Sequence, residues 1–127
     1  MIVSSFFHKK IRPENAIRIK HPFLRKVFTK DKVKGILGCN FSIHKEDLLR
    51  VNGFDERYLY PGTGEVSDLD RRLQRAGIDT FSKKHLLTLY HIYHKRFDLN
   101  YPPNNELLKE NDRNGVTFTP YGIVKNA

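Results

Sequence analysis

The sequence predicts an α/β chain. Three observations carry that expectation: two strand-like apolar runs, at 36–43 and 86–94, and between them a segment, 65–76, whose apolar residues recur at helical spacing. The helical segment is the clearest. Val66, Leu69, Leu73 and Ala76 form one stripe, while Pro61, Gly62 and Gly64 loosen the backbone before it, so a loop feeds a helix. Thr63 is its candidate N-cap and Gly77 its stop. At about 100° per residue, Glu65, Asp68 and Arg72 share a strip roughly 60° wide beside the apolar stripe. The positive end of the helix dipole favours ionised carboxylates there, as a general base requires. Acids in a first helical turn are also ordinary capping.

The remaining elements follow in chain order. Residues 1–34 show little periodicity and read as a basic arm. It carries Lys9, Lys10, Arg12, Arg18, Lys20, Arg25, Lys26, Lys30, Lys32 and Lys34, and Phe23–Phe28 is expected to be a short helix or turn. Ile36–Ile43 is the first strand-like run, with Gly38 permitting close backbone approach. His44–Val51 reads as a short helix with Leu48, Leu49 and Val51 inward, ended by Asn52-Gly53, after which Phe54 anchors a turn. Leu86–His94 is the second strand-like run. Positions three apart on a strand face opposite sides, so only one of His91 and His94 can serve a given metal. A histidine at a strand end is equally a hydrogen-bonded structural residue. Residues 97–105, with Pro102-Pro103, read as loop, 105–111 as a helix, and 115–127 as irregular.

A chain of 127 residues suits one domain with a modest core. Its net charge of +9, from 23 basic and 14 acidic side chains, suits polyanions: nucleic acid, a diphosphate-bearing small molecule, or an anionic membrane surface. No apolar run approaches the roughly 18 residues of a membrane helix, and the apolar opening lacks the basic region of a secretory signal. The single Cys39 cannot form an internal disulfide, which fits a reducing, cytoplasmic setting.

Four blocks in order carry a resemblance: Gly38-Cys39-Asn40-Phe41-Ser42; Asn52-Gly53-Phe54-Asp55-Glu56; Gly64-Glu65-x-Ser67-Asp68-Leu69-x-x-Arg72-Leu73; and Tyr90-His91-x-Tyr93-His94-Lys95. Together they resemble the C-terminal half of family 2 glycosyltransferases, and more narrowly the galactosyltransferase-type C-terminal segment of bacterial polysaccharide enzymes. The resemblance implies a partial GT-A fold, a few strands flanked by helices, with 35–127 as the acceptor-side domain behind the 1–34 arm. It implies hexosyl or galactosyl transfer from a nucleotide-diphosphate sugar to a saccharide acceptor, with inversion. By motif, Glu65 and Asp68 take the catalytic acidic places, Gly38 and Asn40 line the acceptor side, and His91 takes the metal-ligand place for Mn²⁺ or Mg²⁺.

Two departures qualify this resemblance. Val66 stands where the family usually has a second acid, commonly the base, and neither the donor-binding half nor an Asp-x-Asp motif is found upstream of the arm; Asp68-Leu69-Asp70 has that spacing but lies within the helix, where residues two apart diverge by about 200°. The expectation is therefore a truncated or split chain that self-associates or pairs with a donor-domain chain. The alternative is a non-catalytic sugar-binding or interaction remnant. No nucleic acid is expected as a partner, and the basic arm is expected to touch the inner face of a membrane peripherally.

Overall fold

A computed structural model of the protein describes residues 18–28, 35–81 and 101–125. The chain divides into two compact units. One comprises Met1–Lys32 with Phe81–His94, the other Val33–Thr80 with Lys95–Ala127. In the first, the described residues form helix α1, Pro22–Phe28. The proline sits at the helix start, where its missing N–H is no loss.

The second unit holds three helices: α2, Lys45–Arg50; α3, Glu65–Arg75; and α4, Pro102–Arg113. All three end the same way. Asn52 N–H donates to Leu49 O and Gly53 N–H to Leu48 O; Gly77 N–H donates to Gln74 O and Ile78 N–H to Leu73 O; Gly115 N–H donates to Asp112 O and Val116 N–H to Asn111 O. These paired bonds form a Schellman motif at each C-terminus, and each needs a left-handed residue. Asn52 (φ 62°), Gly77 (φ 74°) and Gly115 (φ 61°) supply it.

The α/β expectation, and the partial GT-A fold with it, is overturned. Among the described residues there are four helices and no sheet; the nearest thing to a ladder is one antiparallel bridge between Tyr121 and Lys125. The run at 36–43 is extended chain broken by a turn at Gly38-Cys39, where Asn40 N–H donates to Leu37 O. Period explains the failure. Ile36 and Ile43 both pack on the α3 core, yet their odd separation would put them on opposite faces of a continuous strand. The turn lets both point inward and leaves Leu37 exposed. The second strand-like run, 86–94, lies outside the described residues.

Smaller corrections have equally local causes. α4 begins at Pro102 rather than 105, because two prolines fit the first turn, whose N–H groups lack intrahelical partners. Leu49 is exposed, and Phe54 is half on the surface in an edge-to-face contact with Phe41, 6.5 Å between centroids. No described helix is long and apolar enough to cross a membrane.

The apolar core of the second unit is small. Val51, Leu69 and Leu73 are fully buried, with Ile36, Ile43, Leu48, Ala76 and Ile78 packed against them. Polar side chains fill much of the interior: Asn52, Asp55, Asp68, Asp70, Arg72, Asn104, Asn111 and Thr119 are all buried. α3 and α4 pack through one buried contact of this kind and through half-buried ion pairs. Asn111 donates to Asp68, and Arg71 and Arg75 both pair with Asp112.

Candidate functional site

The site is built around the start of α3. Gly62 (φ 83°) and Gly64 (φ 91°) bend the loop that precedes it. At Gly64 a side chain would also collide, since its Cβ would lie 2.9 Å from the Tyr58 ring and 3.2 Å from Asn104 O. Gly64, not Thr63, occupies the N-cap, without a side-chain cap. Glu65 instead braces the loop before the helix: its Oε1 accepts the Gly62 N–H at 2.6 Å. The other oxygen, Oε2, is buried and accepts no hydrogen bond.

Asp68 lies inside the fold, 1% exposed. Its Oδ2 accepts from Arg72 Nε at 2.7 Å and its Oδ1 from Asn111 Nδ2 at 2.9 Å. Arg72, itself fully buried, donates from Nη1 to Val51 O at 2.7 Å, so it joins α3 to the end of α2; its Nη2 is left unpaired. The Tyr58 hydroxyl is buried beside Asp68 and Asn111 without a hydrogen bond of normal geometry. Burial, and then the negative charges of Asp68 and Asp55, push its phenol well above the usual value.

The network continues through Arg57, which donates to Asn111 Oδ1 at 3.1 Å and pairs with Asp55 through two guanidinium nitrogens. Burial pushes the Asp55 carboxyl up, but hydrogen bonds from Arg57 and Thr119 outweigh it and leave the pKa below the ordinary carboxylate value. Thr119 Oγ1 donates to Asp55 Oδ2 at 2.8 Å, and Asn52 Nδ2 donates to Thr119 O at 2.7 Å and Val124 O at 2.9 Å. This chain of contacts fixes the C-terminal segment against the loop leading to the site.

The loop before α3 also carries an aromatic contact. Tyr60, half exposed, packs on Tyr101 with centroids 4.2 Å apart and rings tilted by 42°. The loop carrying Tyr60 is held from behind by Asn104, whose Nδ2 donates to both Tyr60 O and Thr63 O at 2.9 Å.

The structure brings some expected residues together and separates others. Gly38 reaches the first turn of α3: a Cβ there would be 2.8 Å from Val66 Cγ2. Val66 thus fills the position next to Glu65 by packing on backbone. Asn40 is exposed on the turn beyond. Asp68 is in the same helix turn as Glu65, but its carboxylate points into the buried network. His91 lies outside the described residues. Among the described residues, no group of three His, Cys, Asp or Glu side chains could hold a metal ion. Of the two acidic candidates, only Glu65 has an oxygen without a hydrogen bond, so the described residues do not fit a metal chelate.

Sequence reasoning missed Tyr58, Tyr60, Tyr101, Asn104 and Asn111. A usable signal existed for the asparagines. Positions 104 and 111 are seven apart, on one helix face, and both are buried while Leu107 and Leu108 are only half-buried.

Residues 18–95 match the family model described as the N-terminal domain of galactosyltransferase. That description names an N-terminal domain where the motifs pointed to a C-terminal one. No curated protein and no solved structure matches the chain. The matched span takes in the Gly38 turn, the glycine loop, Glu65 and the Asp68–Arg72 pair, and covers more than half of the sequence: the chain belongs to the family of this galactosyltransferase domain.

Proposed function

We propose that this chain supplies the acceptor side of a sugar-transfer reaction in which a hexosyl unit, galactosyl by family, passes from a nucleotide-diphosphate sugar to a saccharide hydroxyl. The observation that carries this reading is the state of Glu65. One oxygen is tethered to Gly62 N–H, and the other is buried at the helix mouth without a partner, so it meets an acceptor only once the atoms covering it part. A carboxylate held in this way can take the proton of an acceptor hydroxyl as that oxygen forms a bond to the anomeric carbon. The bond from that carbon to the diphosphate breaks, and the nucleotide leaves with its electron pair.

The other residues have supporting roles in this reading. Asp68 and Arg72 fix α3 and so aim Glu65; Asp68 is a positioning residue. The Tyr60–Tyr101 pair, held by Asn104 to the loop that leads into α3, offers an aromatic ring for the C–H face of a pyranose. Gly38 and Asn40 stay on the acceptor side. A divalent cation at His91 is carried by the resemblance, and no step here is routed through it.

Val66 favours a second reading, a sugar-binding remnant without turnover, because it packs on Gly38 where the family usually has the base. The test is nucleotide release by the full chain with UDP-galactose and a panel of methyl glycosides. If Glu65 is the base, Glu65→Gln lowers turnover by about 10²–10⁴-fold with donor KM and thermal midpoint unchanged. Equal turnover in that variant removes Glu65 from the chemistry. An inactive wild type that gains turnover in Val66→Asp, while binding the glycosides throughout, establishes the remnant.

A further inference from the structure

Helix α1 has a face that the sugar-transfer reading does not use. Phe23 is 67% exposed, Leu24 47% and Val27 62%. At about 100° per residue these three side chains fall within roughly 100° of arc, with Arg25 on the opposite side and Lys26 at the flank. Arg18 and Lys20 lead into the helix, and no acidic residue occurs anywhere in 18–28. The segment therefore combines an open apolar wedge with four cationic side chains and no compensating anion.

Neither half of that combination is enough for a surface to hold it. A few apolar side chains give weak, reversible membrane binding, as does a short basic cluster, whereas the two together give stable attachment. An anionic lipid surface satisfies both, accepting phenyl and aliphatic groups at the acyl boundary and Lys or Arg at the phosphates. A nucleic acid would satisfy the charges but leave Leu24 and Val27 against water. We propose that residues 18–28 dock the protein on an anionic membrane surface, Phe23, Leu24 and Val27 entering the headgroup boundary while Arg18, Lys20 and Lys26 meet the lipid phosphates.

The sequence has no tryptophan, so Phe23→Trp in the full chain gives a single reporter. With vesicles of equimolar phosphatidylcholine and phosphatidylglycerol, its emission shifts to the blue and becomes shielded from acrylamide. With phosphatidylcholine vesicles, it does not. Reversing Lys20 and Lys26 to Glu weakens co-flotation of the otherwise unaltered chain by about fivefold per charge removed, and raising salt does the same. Changing Phe23, Leu24 and Val27 to Ser abolishes it with the far-UV circular dichroism preserved. Equal binding to both vesicle types, no binding to either, or retention by the triple Ser variant overturns the proposal. So does tighter binding to generic duplex DNA that the Ser changes leave intact. None of these outcomes depends on sugar transfer.

Discussion

At the scale of single residues, the pair Asp68–Arg72 decides what α3 can do. A carboxylate and a guanidinium, both essentially without solvent contact, are tolerated because each has further partners, Asn111 for the one and Val51 O for the other. Arg72→Met strands a buried negative charge and lowers stability by about 3–5 kcal/mol, read as the urea midpoint. Adding Asp68→Leu recovers part of that loss, and a single-variant loss below about 1 kcal/mol would mean the pair behaves as a surface one. Tyr58 makes a separate prediction. Its folded-state pKa is raised above the ordinary 10.0, so the unfolded chain releases this proton first. Stability is intact below pH 10 and declines as pH rises from there through the folded-state value. Tyr58→Phe removes that alkaline decline, and absorbance titration of the wild type shows one phenol ionising late. A variant with the same decline as wild type would assign it to other groups.

Asn52 shows at the scale of elements why a helix end is not interchangeable with any other. It takes the left-handed position that Gly77 and Gly115 take elsewhere, and a non-glycine residue there carries a backbone penalty of about 1–2 kcal/mol. Its amide offsets that penalty by donating to Thr119 O and Val124 O and accepting Val124 N–H at 2.7 Å. Gly122 passes so close beneath that a Cβ would overlap Asn52 O. Asn52→Gly relaxes the backbone but removes three hydrogen bonds, and we expect a net destabilisation of about 1–3 kcal/mol, with hydrogen exchange rising first in 119–125. A stabilised Asn52→Gly would show that the amide contacts contribute nothing. Helix ends like this one were legible in the sequence, as Asn52-Gly53 and Gly77, because a cap depends on neighbours a few residues away. The polar strip on α3 was legible as a strip, but not its direction. Arg72 and Asp68 find partners 21 and 43 residues distant, in segments with no local mark of that pairing.

For the whole molecule, the same distinction between local and distant information explains why the described residues hold no sheet. The apolar run at 36–43 has strand composition, but a strand is defined by its neighbour, and the described neighbour of this run is the side of α3, reached by a turn at Gly38. The place of Glu65 at the start of α3 was legible from the glycines before it. The Tyr60–Tyr101 pair was not, because its two rings come from separate stretches of chain. Among its described residues, the second unit buries three apolar side chains fully beside eight polar ones. Hydrogen-bonded polar burial holds a structure in register while removing little apolar surface from water; apolar exposure raises and polar exposure lowers the heat capacity of unfolding, and the denaturant slope follows the total surface exposed, which is small where few side chains are fully buried. The chain should therefore unfold with a urea m-value near or below about 1 kcal/mol/M, the bottom of the range for small proteins, and with a low heat-capacity increment. Because much of the stabilisation is charge-assisted, its midpoint should also fall toward acid as Asp55, whose folded pKa is depressed, is protonated: the contribution is full above the ordinary carboxylate value of 3.8 and disappears as pH drops through the lower folded one. An m-value of about 2 kcal/mol/M with an acid-insensitive midpoint would mean that an ordinary apolar core carries this fold.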